Sequence, residues 1–138
     1  MLASTLIAVS AAIVLLFGSI HLLYTFNGTK LHPRDPALTA AMKLTHPVIT
    51  RQTTVWRANL GFNATHSMGL MLFGLIYGYL ALAQPALLWQ SGFLLALGLT
   101  TLIAYVVLAR LYFFSIPFRG VTLATLLYVA GLVVHVAR

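Results

Sequence analysis

The stretch Trp56–Gly69, Trp-Arg-Ala-Asn-Leu-Gly-Phe-Asn-Ala-Thr-His-Ser-Met-Gly, places several hydrogen-bonding side chains at the start of a long apolar span. They are Asn59, Asn63, His66 and Ser67. Counted at about 100° per residue, these side chains share one side of a helix. Lipid offers no hydrogen-bonding partners, so we expect this side to face the protein interior.

The composition excludes a water-soluble surface and several kinds of chemistry. Of 138 residues, 61% are hydrophobic and 7% charged, and the mean hydropathy is +0.98; soluble domains carry about a quarter charged residues. Cysteine is absent, which excludes disulfides and thiolate metal sites. Asp35 is the only acid, which excludes paired-carboxylate catalysis. The net charge of +7 comes from basic residues that flank apolar spans, so we expect contact with anionic membrane lipids and not with nucleic acid.

Four apolar spans have the length that a membrane helix needs, roughly 20 residues. They cover about 2–26, 55–83, 86–114 and 117–137. The first span lacks the basic start of a signal peptide, so we interpret it as the first helix. Gln84-Pro85 separates the second span from the third, and Ser115 is predicted as the N-cap of the fourth. The prediction is an all-α, four-transmembrane-helix bundle forming a single membrane domain over residues 1–138.

The polar connection 27–54 joins the first two spans. Within it, Asp35-Pro36 is typical of a helix start, with an N-cap acid and proline at the first helical position. Residues 36–44 then alternate apolar and polar side chains, which predicts a short interfacial amphipathic helix on the membrane surface. An irregular loop is the alternative.

Lysine and arginine predict the orientation. Most of them lie in or beside the first and third connections, whereas the opposite side carries Arg138. The positive-inside rule therefore places these two connections in the cytoplasm and both termini on the periplasmic side.

Each span carries one stripe of small and polar residues, which we expect to form the helix–helix contacts. The motif Gly74-Leu-Ile-Tyr-Gly78 also indicates close packing. His21 lies about as deep in the first span as the polar side chains lie in the second, counted from their shared connection. Tyrosines of the third span could complete the group of polar side chains around a pocket. The sequence thus predicts a polar, ligand-binding pocket in the cytoplasmic half, formed by His21, Asn59, Asn63, His66, Ser67, Tyr105 and Tyr112.

Four interpretations of this cluster remain open. In the first, the cluster only holds the helices together, in an accessory or scaffold subunit that binds another membrane protein or a second copy of itself. It could instead bind the polar head of a quinone, lipid or isoprenoid. His21 and His66 could be axial ligands of a haem b or a chlorin. Finally, His66 could be the general base of a membrane enzyme, although no acid lies in the spans to assist it.

The motif Gly61-Phe-Asn-Ala-Thr-His-Ser-Met-Gly69 resembles that of a group of small, uncharacterised bacterial four-helix membrane proteins, Gly-Phe-Asn-x-Ser/Thr-His-Ser-x-Gly. Those proteins also carry a Pro-Arg-Asp-Pro-like stretch before the motif, as residues 33–36 do here. The resemblance covers nearly the whole chain and implies a protein of the bacterial inner membrane. It implies no activity.

Overall fold

A computed structural model describes residues 1–137, and within that range every regular element is a helix. Four of these helices are long and apolar enough to cross a membrane. The all-α prediction with four such helices, and a short helix between the first two, is confirmed. Arg138, which entered the orientation argument, lies outside the described residues. The helices are α1 (Leu2–Phe26), α2 (Pro36–Leu44), α3 (Val55–Ala83), α4 (Pro85–Gln90), α5 (Gly92–Tyr112) and α6 (Ser115–Val136).

The predicted third span, 86–114, is wrong as a single helix. The chain forms α4 and α5 instead, with Ser91 between them. The Ser91 hydroxyl accepts the backbone N–H of Leu94 at 3.2 Å, so Ser91 is the N-cap that starts a new helix. The remaining α5 has 21 residues, which is still long enough to cross a membrane.

The start of α6 also differs from the prediction. Ser115 is the first helical residue and not the N-cap; Phe114 occupies the cap position and makes no side-chain bond there. Pro117 therefore falls in the first turn of α6. The predicted fourth span began at about residue 117, two residues later than the helix does. Proline is tolerated in the first turn, where backbone N–H groups have no intrahelical partner.

The short helix α2 begins as predicted. The Asp35 carboxylate accepts the backbone N–H of Ala37 at 2.8 Å, and Pro36 is the first helical residue. None of the side chains of α2 is buried, and Leu38 is 50% exposed. An apolar side chain left this open is compatible with the predicted position on a membrane surface, which stays a prediction.

The chain divides into two compact units. One unit contains Met1–Phe17 and the chain from Leu70 onward; its core is formed by the first part of α1, the second part of α3, and α4 to α6. Polar groups in this core bond to backbone carbonyls: Ser10 donates to Ala124 at 2.7 Å, and Tyr77 donates to Leu94 at 2.7 Å. The other unit is Gly18–Gly69.

Close packing of α1 against α3 in the first unit depends on Gly74. A Cβ atom added there would lie 2.6 Å from Cβ of Leu15 and 2.7 Å from the backbone oxygen of Ala11. At Gly78 the same atom would meet Cβ of Ala11 at 3.9 Å, an ordinary contact. Of the two glycines in the motif, only Gly74 is required by this packing.

Candidate functional site

Within the unit Gly18–Gly69, a hydrogen bond joins α1 to α3. His21 Nε2 lies 3.0 Å from Asn63 Oδ1. The Asn63 amide nitrogen donates to the backbone oxygen of Asn59 at 2.8 Å and lies 3.3 Å from Asn59 Oδ1. These bonds fix the orientation of the amide, so its oxygen faces the imidazole. Because a carbonyl oxygen only accepts, His21 donates through Nε2.

Two hydroxyls beside this bond are buried and bonded within their own helices. Ser67 donates to the carbonyl of Asn63 at 2.8 Å, one turn earlier in α3. Thr25 donates to the carbonyl of His21 at 2.8 Å, one turn earlier in α1. Both hydroxyl protons are therefore used inside the protein.

The structure brings His21 and His66 together, as the sequence predicted. Their ring centroids are 5.3 Å apart, and the ring planes meet at 84° in an edge-to-face contact. We call His21, Asn59, Asn63, His66 and Ser67 the polar cluster. Among residues 1–137, no buried side-chain nitrogen or oxygen lacks a hydrogen-bond partner, so the buried polar atoms of the cluster are all satisfied internally.

This geometry does not fit a bis-histidine haem. Axial ligands direct a nitrogen lone pair at the iron from opposite faces of a flat porphyrin. His21 instead donates through Nε2 to Asn63. The two imidazoles also contact each other directly, which leaves no gap for a porphyrin between them. Over residues 1–137, no group of three or more His, Cys, Asp or Glu side chains could hold a metal ion.

The two predicted tyrosines belong to the other unit. Tyr105 and Tyr112 both lie on α5. Tyr105 is partly buried and packs against the apolar core of its unit, whereas Tyr112 is 73% exposed. Their participation in a pocket with the polar cluster stays a prediction.

A cationic cleft in the unit Gly18–Gly69 was missed by the sequence reasoning. Its volume is about 710 Å³, and its walls are the end of the loop after α1 and one face of α2. Lys30, Arg34 and Lys43 line it, together with His32. The sequence signal was present, because Pro36, Thr39, Ala40 and Lys43 recur at helical spacing, but the basic residues were used only to predict orientation.

A smaller cleft, of about 420 Å³, lies in the first unit. There the rings of Trp89 and His135 stack, with centroids 4.0 Å apart and planes at 11°. Trp89 Nε1 donates to the hydroxyl of Ser4 at 3.0 Å. His135 and Trp89 both belong to this unit.

No family model, curated protein or solved structure matches the chain. The motif resemblance stays a prediction, and the function has to be argued from the geometry.

Proposed function

We propose that this chain is a multi-pass membrane protein that serves as an accessory or scaffold subunit, and that its polar cluster locks the first two membrane helices together. One observation carries the proposal: hydrogen bonds join His21, Asn59, Asn63 and Ser67 across and along α1 and α3, and the ring of His66 packs on that of His21. A site built to hold a substrate would instead leave some of these groups for the substrate to satisfy.

The bond between His21 and Asn63 restricts the register of α1 against α3. In lipid there is no water to replace a broken bond, and an interhelical hydrogen bond contributes about 0.6–1.7 kcal/mol. A slip of one residue turns a helix by about 100°, which would carry Asn63 away from His21. The bond between them therefore favours one register over its neighbours. A fixed register presents a fixed outer surface, which is what a scaffold offers to a partner.

The binding protein and the enzyme fit this cluster less well than the scaffold does. A quinone, lipid or isoprenoid head that bound to the His21 Nε2 proton or the Asn63 oxygen would have to displace the bond between them. A reaction with His66 as general base would need an assisting acid, but Asp35 is the N-cap of α2. The internal bonding therefore favours the scaffold over the binding protein and the enzyme.

For the location, we propose the bacterial inner membrane, with the connection 27–54 in the cytoplasm and both termini periplasmic. The native chain has no cysteine, so a single introduced cysteine is the only position that a maleimide can label. Gln52 and Gln84 are both exposed and lie in successive connections. In intact cells, an impermeant maleimide should label Gln84→Cys and reach Gln52→Cys only after permeabilisation. The reverse pattern would invert the proposed topology.

The proposed function is tested on protein extracted with its surrounding lipids and analysed by native mass spectrometry and absorbance. We expect the chain in a complex of defined mass, with a partner chain or a second copy. We expect no Soret band and no bound small molecule that is lost in Asn63→Leu. The matched control is Thr65→Val, which removes an exposed hydroxyl bond within α3. A lone monomer, or a quinone or isoprenoid released by Asn63→Leu alone, would overturn the proposal.

A further inference from the structure

The cationic cleft has more positive charge than the protein can neutralise. The chain has eight lysines and arginines against one acid, and three of the eight line this cleft. The acid, Asp35, is held at the start of α2 by the N–H of Ala37. The exposed cations Lys30, Arg34 and Lys43 are therefore open to a negative charge from outside the chain.

Aromatic rings hold two of these cations in place. The Lys30 ammonium lies 4.0 Å from the centroid of the Tyr24 ring, and the Lys43 ammonium lies 5.4 Å from that of the Trp56 ring. His32 meets the same Trp56 ring edge to face, with centroids 4.7 Å apart. The cleft is thus partly preorganised, and its cations are not merely loose surface side chains.

The position of the cleft matches the level of lipid headgroups. Tyr24 lies in the last turn of α1 and Trp56 in the first turn of α3, two helices long and apolar enough to cross a membrane. Tyrosine and tryptophan favour the interface between lipid and water. On α2, the cleft face carries Thr39 and Lys43, whereas Leu38 does not line the cleft and lies about 100° from Thr39 and about 140° from Lys43 by helical count.

We propose that this cleft binds a phosphate group, and that its source is the headgroup of an anionic phospholipid. Lysine and arginine side chains form strong charge-assisted bonds to phosphate oxygens, and Thr29 on the wall supplies a hydroxyl donor. Leu38, outside the cleft on α2, and Val48 and Ile49, in the connection after α2 and at 109% and 92% exposure, offer apolar surface to the acyl region. A free phosphate ion would use the cations but not this apolar surface, which favours the lipid. The site is separate from the polar cluster; it rests on the membrane location in the proposed function but not on the scaffold role.

The test uses Trp56 as the reporter. The chain has two tryptophans, so Trp89→Phe leaves Trp56 alone beside the cleft. This protein is reconstituted in phosphatidylcholine bilayers with rising amounts of phosphatidylglycerol that carries brominated acyl chains, which quench tryptophan fluorescence. Work at an ionic strength of about 0.15 M limits long-range attraction, because the Debye length is then about 8 Å. We expect saturable quenching by brominated phosphatidylglycerol well above that by brominated phosphatidylcholine.

Two double variants separate the cleft from general attraction to a charged surface. Arg34→Gln/Lys43→Gln removes two cations from the cleft, and Arg51→Gln/Arg57→Gln removes two exposed cations that do not line it. Both leave the same net charge. We expect the cleft variant to lose roughly tenfold more affinity for phosphatidylglycerol than the control. Equal losses of affinity in the two double variants would overturn the proposed site.

Two further arms close the test. Lys43→Arg keeps the positive charge and should keep the preference for phosphatidylglycerol. If this variant lost that preference while its circular dichroism spectrum stayed unchanged, the result would contradict a charge-based site. Inorganic phosphate is titrated into protein in pure phosphatidylcholine and followed by phosphorus NMR. Saturable binding of phosphate that needs Arg34 and Lys43, without any preference for phosphatidylglycerol, would overturn the lipid as the source.

Discussion

Replacing His21 and Asn63 by leucine, singly and together, measures the bond that joins α1 to α3. Asn63→Leu removes the acceptor of the His21 Nε2 proton and leaves that donor without its partner. His21→Leu leaves the Asn63 oxygen without its donor. In the double variant neither group is left over, because both partners have become apolar.

The expected size follows from the number of bonds that cross between helices. Of the hydrogen bonds described for the Asn63 side chain, only the one to His21 does so; the others reach Asn59 within α3. A single interhelical bond contributes about 0.6–1.7 kcal/mol in a membrane protein. An unsatisfied buried partner adds a penalty of about 1–3 kcal/mol to each single variant. The double variant should therefore be more stable than the sum of the single losses predicts, by at least about 0.6 kcal/mol.

The assay is reversible unfolding in detergent micelles or bicelles, with helicity followed by circular dichroism, for the native chain and three variants. Thr65→Val is the control, because it removes an exposed hydroxyl bond within one helix; we expect a change below about 0.5 kcal/mol. Strictly additive single losses would refute the reasoning, since additivity means that the two side chains do not interact. A control as destabilising as Asn63→Leu would show that any polar loss in α3 has the same effect.

Four other substitutions test the packing of the first unit and the cap of α2. Gly74→Ala should destabilise the first unit by about 1–3 kcal/mol, because the added methyl meets the backbone of α1. Gly61→Ala is the control: a methyl there has nothing within 4 Å and should stabilise α3 by about 0.5–1 kcal/mol. Equal unfolding curves for the two variants would contradict the close approach of α1 at Gly74. Ser10→Ala should cost about 0.5–1.5 kcal/mol in the same unfolding assay, because its buried hydroxyl bonds to the backbone of α6; no loss would show that this bond is dispensable. Asp35→Ala should weaken α2 by about 1 kcal/mol through loss of its N-cap, seen as faster amide hydrogen exchange in that helix while exchange in α5 is unchanged.

Much of the fold could be predicted from the sequence, because a chain in lipid has few ways to satisfy its backbone hydrogen bonds. A membrane helix must satisfy its own backbone, so long apolar spans predicted α1 and α3 with the observed bounds. Local capping chemistry predicted the start of α2 at Asp35-Pro36. The break at Ser91 was missed because the surrounding side chains are apolar, and hydropathy does not distinguish a continuous helix from two helices with a cap between them.

The polar cluster was predictable in part. His21 and Asn63 are at similar depths in helices joined by one connection, and depth plus helical face was enough to bring them together. Which atoms bond was not predictable, because it depends on the amide orientation that Asn59 fixes. The cationic cleft was missed for a different reason: the loop after α1 and the face of α2 meet in space through a turn at Gly28, where φ is +85°. Helical or hydropathy patterns do not encode such a turn.

The protonation of His21 Nε2 tests most directly whether a hydrogen bond to Asn63 joins α1 to α3. Nitrogen NMR of the histidine side chains, in protein reconstituted in bilayers, distinguishes Nε2 with a bound proton from Nε2 with a free lone pair. We expect Nε2 of His21 to carry a proton and to change its resonance in Asn63→Leu but not in Thr65→Val. An Nε2 without a proton, or one that does not respond to Asn63→Leu, would contradict a bond between these two side chains and reopen the cluster as a ligand site.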